Sequence, residues 1–174
     1  EVWNVQHLET IQIPGYKFVS KQRTTCRGGG VGFYINQKLK FKILPSPFYD
    51  KIFESITIET LIGNKKNIIC NIYRPPSNLP GILPSDQLNN FMDTIDTLSS
   101  ELSNLNLPVY IVTDSNINLL NLSNNSHTEA YLQSLYSNGY VQTILKATRI
   151  QNGASSLIDH IFTNQELNSI TTGV

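Results

Sequence analysis

The apolar residues of this chain change their spacing near residue 76. Before that point they alternate or cluster in short β-branched runs. After it they recur at three and four. Tyr16–Ser20, Val31–Ile35, Leu39–Leu44, Phe53–Ile62 and Ile68–Tyr73 read as strands at hairpin spacing, which predicts an antiparallel sheet. Alternation in Leu39–Leu44 and Phe53–Ile62 predicts half-buried strands with their charges outward. Leu88, Phe91, Met92, Ile95, Leu98, Leu102 and Leu105 then form the stripe of one amphipathic helix, with Ser85 as its expected N-cap and Pro108 as its stop. Val109–Val112 is a short, wholly apolar strand. Ser126–Glu129 fits a capping box ahead of a second helix carrying Tyr131, Leu132, Leu135 and Tyr136, which Asn138-Gly139 should end. Tyr140–Leu145 and Leu157–Phe162 read as the last two strands. Sheets with helices between them predict an α/β sandwich, a single domain over residues 1–174.

A chain of 174 residues buries about 70% of its unfolded surface and needs neither disulfides nor metal to fold. Its 40% apolar and 15% charged residues exclude a disordered chain, a collagen and a coiled coil. No apolar run approaches the roughly 20 residues that span a bilayer, so no membrane is expected. No basic-then-apolar opening marks a signal peptide, and a first residue of Glu rather than Met reads as a start that is missing or processed. Cys26 and Cys70 match neither a disulfide framework nor a zinc pattern, and are expected as reduced thiols of an intracellular protein. Formal net charge is zero but segregated. Residues 1–74 hold 11 Lys and Arg against 5 Asp and Glu; residues 75–174 hold 2 against 8. That asymmetry suits a polyanion-facing surface and a separate carboxylate-rich region, or simply unevenly charged loops.

Several places could carry chemistry. Asp114-Ser-Asn116 follows the strand Val109–Val112, and residues two apart can face one site; the same residues also favour an ordinary turn. Asp159 is the acidic residue of the apolar run Leu157–Phe162, where a carboxylate is costly unless paired or functional. His160 beside it should point to the opposite face, which argues against an Asp159–His160 pair. Tyr73 and Arg74 end a strand at Pro75-Pro76, and Arg is a good phosphate ligand. Thr148-Arg149 offers a hydroxyl and a cation, or a loop. Gly28-Gly29-Gly30 is neither a P-loop nor a dinucleotide fingerprint, since no Gly-Lys-Ser/Thr follows and a strand rather than a helix comes next. No Cys/His metal cluster and no G-x-S-x-G elbow is present.

In order, these pieces resemble the endonuclease/exonuclease/phosphatase superfamily, and within it the apurinic-type endonuclease domain of non-LTR (LINE-type) retrotransposons. Glu1-Val-Trp3 resembles the family's Glu-Thr-Trp. Pro14-Gly15-Tyr16 and Gly28–Gly32 resemble the next two signatures. Asn71–Pro76 resembles the Tyr-bearing strand, Val112–Asn116 the Gly-Asp-Phe-Asn motif, Thr148-Arg149 a Thr-Arg signature, and Ser156–Ile161 the Asp strand. The resemblance implies a four-layered α/β sandwich, two packed mixed but mainly antiparallel sheets flanked by helices, incomplete at both termini. It implies Glu1 as metal ligand, Tyr73 beside the scissile phosphate, Asp114 activating the attacking water, Asn116 supporting the phosphate, Thr148 as buttress and Asp159 orienting a catalytic histidine. It further implies Mg²⁺ or Mn²⁺, an oxygen-ligated hard ion, and DNA as the partner. Lys21, Arg23, Arg27, Arg74 and Arg149 are the expected backbone contacts. The implied product is a nick that primes reverse transcription, with a reverse transcriptase domain following in the parent polyprotein and a nuclear location. The sequence departs from the family in three ways. The family's upstream Asn strand and its downstream Ser-Asp-His segment lie outside this chain. Thr113 and Ser115 stand where the family has Gly and Phe, and Ser115 should remove an aromatic packed under the site. These departures keep open a relic that binds nucleic acid without cutting it, and the superfamily's breadth keeps open a small phosphoester substrate.

Overall fold

In the computed structural model, residues 12–24, 29–76 and 81–173 are described. The first half is built of strands, as its alternation predicts: β1 (Tyr16–Lys21), β2 (Val31–Asn36), β3 (Phe41–Leu44), β4 (Phe48–Tyr49), β5 (Phe53–Ile62) and β6 (Lys65–Tyr73). β1 and β2 form an antiparallel ribbon. β5 and β6 form a long antiparallel hairpin, with β3 and β4 on the outer side of β5. The helix α1 (Pro84–Ser103) then crosses over to β7 (Val109–Asp114), which pairs with β6 in parallel. A crossover of this length is what a parallel pair requires. After α2 (Ser126–Ser137), β8 (Val141–Gln142) and the small hairpin β9 (Arg149–Gln151)–β10 (Ala154–Ser156), the strand β11 (Asp159–Thr163) inserts antiparallel between β7 and β8.

The large sheet has both faces covered. On one, Phe53, Ile68, Ile72 and Ile111 pack against Phe91 and Ile95 of α1 and Tyr131 and Leu135 of α2. On the other, Ile56 and Tyr73 pack against Val31 of the ribbon. Helices, sheet and ribbon are thus layers of the expected sandwich. The double covering corrects the half-buried reading of Phe53–Ile62. Glu54, Ser55 and Thr57 are buried with their apolar neighbours. Cys70 is a buried free thiol, its pKa pushed up to about 12 by burial. Cys26 lies outside the described residues.

Element ends differ from the sequence reading in detail. The first cap of α1 is Leu83, with Pro84 in the first turn, so Ser85 lies inside the helix. Asn125, not Ser126, caps α2, its side chain accepting from His127 N at 3.0 Å. Gly139 does end α2 as expected, with φ +83° and Tyr140 N donating back to Leu135 O at 3.0 Å. No helix among the described residues is long and apolar enough to cross a membrane.

Candidate active site

Strand register builds the site. Glu54 on β5, Tyr73 on β6, Asp114 on β7 and Asp159 on β11 are successive cross-strand partners. Directly opposed residues project from the same face, so four functional side chains form one row at one end of the sheet. Ser115 N donates to Ile158 O at 3.0 Å, which makes 115/158 a hydrogen-bonded pair. Asp114 and Asp159 therefore form the adjacent non-hydrogen-bonded pair, the kind in which side chains approach most closely. Two carboxylates placed opposite one another destabilise a sheet. The fold tolerates this pair at the end of an otherwise apolar strand.

The turn after β7 is held from beneath by Arg74. Its Nε donates to Ser115 O at 2.6 Å and its Nη2 to Asn116 O at 3.1 Å. Asn116 returns the contact, its Nδ2 donating to Arg74 O at 2.8 Å, with its backbone in the left-handed region at φ +51°. Asn tolerates that conformation better than most residues. Arg74 N also donates to Asp114 O at 2.9 Å. Burial lowers the Arg74 pKa, against the opposing pull of Tyr131, Asp114 and Tyr73. Arg74 is only 4% exposed and its guanidinium lies 5.6 Å from the Phe91 ring centre. The residue expected at a phosphate is therefore a brace for the 115–116 turn.

Thr148 supports the other carboxylate. Its Oγ1 accepts from both Ile158 N and Asp159 N at 3.2 Å, tying the start of β11 to the loop that leads into the β9–β10 hairpin. Behind the row, on the helix face, lies His160. It is 1% exposed and points away from Asp159, as strand alternation requires. Its Nε2 donates to Leu157 O at 3.1 Å, so in the neutral ring Nδ1 accepts from Tyr131 OH at 3.2 Å. Burial pushes its pKa down to about 4. Ser115 is fully buried beside it, its Oγ accepting from Ile117 N at 3.1 Å and lying 3.3 Å from His160 Nδ1. Tyr131 packs edge-on to Phe162 with ring centres 5.8 Å apart. The hole expected from a Ser in place of Phe is thus filled by a polar network and the Tyr131–His160–Phe162 rings.

The cations expected on DNA are mostly engaged inside the fold. Lys21 Nζ donates to Ser46 O at 2.9 Å, and burial lowers its pKa. Arg23 pairs with Glu54 and lies 5.9 Å from the Tyr73 ring centre. Arg149 is exposed on β9 beside the site, its Nη2 2.5 Å from Gln151 Oε1. Glu1 and Arg27 lie outside the described residues. Glu54 is the residue that sequence reasoning missed. It is fully buried, and besides Arg23 its carboxylate accepts from Gly30 N at 2.7 Å and Lys51 N at 3.2 Å. Among the described residues no three His, Cys, Asp or Glu side chains gather closely enough to hold a metal ion.

No family model matches the sequence, and no curated protein matches it. Solved structures do. A humanised D. rerio TDP2 superposes with TM-score 0.63 at 14% identity, over 91% of this chain and 64% of that one. An endonuclease/exonuclease/phosphatase family protein from Bacteroides thetaiotaomicron superposes with TM-score 0.54 at 14% identity, over 87% of this chain and 60% of that one. The endonuclease domain of TRAS1, a telomere-specific non-LTR retrotransposon, superposes with TM-score 0.62 at 10% identity, over 92% of this chain and 72% of that one. The chain thus spans less than two thirds of the first two structures. At these identities the likeness is one of architecture, and it agrees with the ordered motifs: this chain has the fold of the endonuclease/exonuclease/phosphatase family.

Proposed function

We propose that this chain is the greater part of a metal-dependent DNA endonuclease domain, whose complete form nicks one strand to prime reverse transcription within a retrotransposon polyprotein. The observation that carries this reading is the row of Tyr73, Asp114 and Asp159, in register across three neighbouring strands, with Asn116 braced beside it. DNA as substrate is supported by what shares the fold, which includes the TRAS1 domain and a D. rerio TDP2 complexed with a single strand DNA product. A following reverse transcriptase domain and a nuclear location belong to the same reading.

The residues present suit Mg²⁺ or Mn²⁺ in donor chemistry. Asp114 and Asp159 offer hard oxygen atoms, and a cation held near them would relieve their opposition. Glu1 would complete the set. The ion would stabilise charge developing on the phosphate and leaving oxygen. In this reading the chain's own side chains divide the remaining work. Asp114 orients or activates the attacking water, Asp159 orients a catalytic histidine of the complete domain, and the Tyr73 hydroxyl and Asn116 amide donate hydrogen bonds to phosphate oxygens. Thr148 and Arg74 hold these groups in place.

Nicking of supercoiled plasmid by the full reading frame tests this. Asp114→Ala should lower the rate by about 10²–10⁴-fold, the usual worth of a positioned acid–base group, while the circular dichroism spectrum stays unchanged. A folded Asp114→Ala variant that cuts at the parent rate would sink the assigned site. Salt-sensitive DNA binding with no chelator-sensitive cleavage by either protein would favour the non-cutting relic instead.

A further inference from the structure

The far end of the large sheet carries a different surface. Eight residues of β5 separate Glu54 from Ile62, about 27 Å at 3.4 Å per residue. At that end Lys17 of β1, Lys38 and Lys40 of the β2–β3 turn, Lys42 of β3, and Lys65 and Lys66 of β6 are all exposed. Register sets Lys42 and Lys66 on one face of the sheet and Lys65, with Lys17 over Phe41, on the other, so the lysines rim the sheet end from both sides. Lys42 opposes Glu59, Lys65 opposes Ile62, and Lys66 opposes Leu61, whose N donates to Lys40 O at 3.3 Å. Lys17 Nζ lies 5.4 Å from the Phe41 ring centre. One carboxylate, Glu59, is ion-paired within the group, to Lys66 at 3.1 Å. These six are nearly half of the chain's 13 Lys and Arg. At the site end, by contrast, Lys21, Arg23 and Arg74 are engaged internally.

We propose that this lysine-bearing end binds the phosphate backbone of duplex DNA, at a place distinct from the candidate active site. The inference rests on the proposed function in taking DNA as the polyanion. Lysine ammoniums act on phosphates as point charges and need no base contact. The exposed apolar side chains beside Lys38, Lys40, Lys42, Lys65 and Lys66, namely Leu39, Ile43, Leu61 and Ile62, are aliphatic, and the exposed rings Tyr16 and Tyr34 lie on the ribbon beside Lys17; lysines outnumber rings, which favours charge contact with a duplex backbone over base stacking. Lys40 and Lys42 flank or lie on the edge strand β3 and Lys17 lies on β1, an edge of the ribbon, so protection of a sheet edge does not account for Lys38, Lys65 and Lys66.

The test is fluorescence anisotropy of a labelled 20-base-pair duplex with the full chain in EDTA, between 50 and 200 mM salt. The triple variant Lys40→Gln, Lys42→Gln, Lys65→Gln should flatten the slope of log affinity against log salt by about 0.9 per lysine, some 2.7 in all. All three side chains are exposed, and circular dichroism checks the fold. The exposed Asn90→Ala on α1 should leave the slope as it is. The slope assay and the plasmid-nicking assay separate the two ideas, since binding here can survive a failed cleavage assay and cleavage can survive a failed slope assay. An unchanged slope in the triple variant overturns the proposal. So does tighter binding to phosphatidylserine vesicles or to polyglutamate than to the duplex.

Discussion

Glu54 shows how a single buried charge organises its surroundings. A carboxylate with no solvent exposure is costly unless it is paired and fully hydrogen-bonded. Here Arg23, Gly30 N and Lys51 N supply the partners. The clamp ties the ribbon to β5 beside Tyr73. Removing one partner strands the other, so Glu54→Ala should cost about 3–5 kcal/mol in urea unfolding, whereas a paired Arg23→Met, Glu54→Leu variant should cost less. Similar losses in both would show that the charge pair is not what matters. The sequence showed the position but not its consequence: Glu54 is in phase with Ile56 and Ile58 on one strand face, and only the ribbon folded over that face, with Arg23 and Gly30 on it, makes the residue a buried, paired charge. Asp159 was legible for the opposite reason: an acid inside an apolar run has no bland explanation. His160 was legible as a non-partner by strand alternation alone. Its buried neutral ring also predicts a pH response. The folded pKa of about 4 lies below the unfolded value near 6.5, so the unfolded state binds the extra proton between those values. Stability should be full above about pH 6.5 and fall as pH drops toward 4, by about 3 kcal/mol from this group. His160→Gln should flatten that part of the profile measured by denaturant unfolding.

At the level of elements, α1 sets the geometry because the parallel β6–β7 pair exists through it. Phe91 sits at the centre of that contact, fully buried, with ring centres 5.3 Å from Phe53 and 6.1 Å from Tyr131. Phe91→Ala should cost about 3–5 kcal/mol by the lost transfer energy and the cavity left behind. The exposed Asn90→Ala on the same helix should change the urea midpoint little, and a comparable loss there would mean helix propensity rather than packing governs α1. This helix was legible because its stripe recurs over many turns. Its start was not, because Pro84 in the first turn displaced the more obvious Ser85. The β9–β10 hairpin went unread for a related reason. Asn152-Gly153 is a two-residue turn, both at positive φ, but the strands on either side are three residues long and largely polar. Apolar periodicity carries no signal there. The cations Lys21, Arg23 and Arg74 were legible as charges and illegible as contacts, since sequence does not say whether a guanidinium faces water or a carbonyl.

For the molecule as a whole, the segregated charge of the sequence becomes a spatial polarity. Lysines collect at one end of the sheet and the opposed Asp114–Asp159 pair lies at the other. That pair makes the stability of the entire domain a reporter for the proposed ion. Two carboxylates facing across strands cost roughly 0.2–1 kcal/mol relative to a neutral pair. Asp114→Asn should therefore raise the Tm of the metal-free protein by roughly 0.4–4 °C for a domain of this size. A divalent ion that binds the folded state alone acts in the other direction on the wild type. At one hundred times its dissociation constant it adds about 2.7 kcal/mol, which corresponds to roughly 5–10 °C in Tm. The same Mg²⁺ titration should leave Asp114→Asn almost unmoved, because half of the opposed pair no longer carries a charge. Calcium or manganese in place of magnesium should also stabilise the wild type, since all three are hard ions that prefer oxygen. Melting curves across the titration separate the two expectations. Equal stabilisation of both proteins would place the ion elsewhere, and a wild type indifferent to all three ions would mean that the opposed aspartates do not bind a cation in this chain.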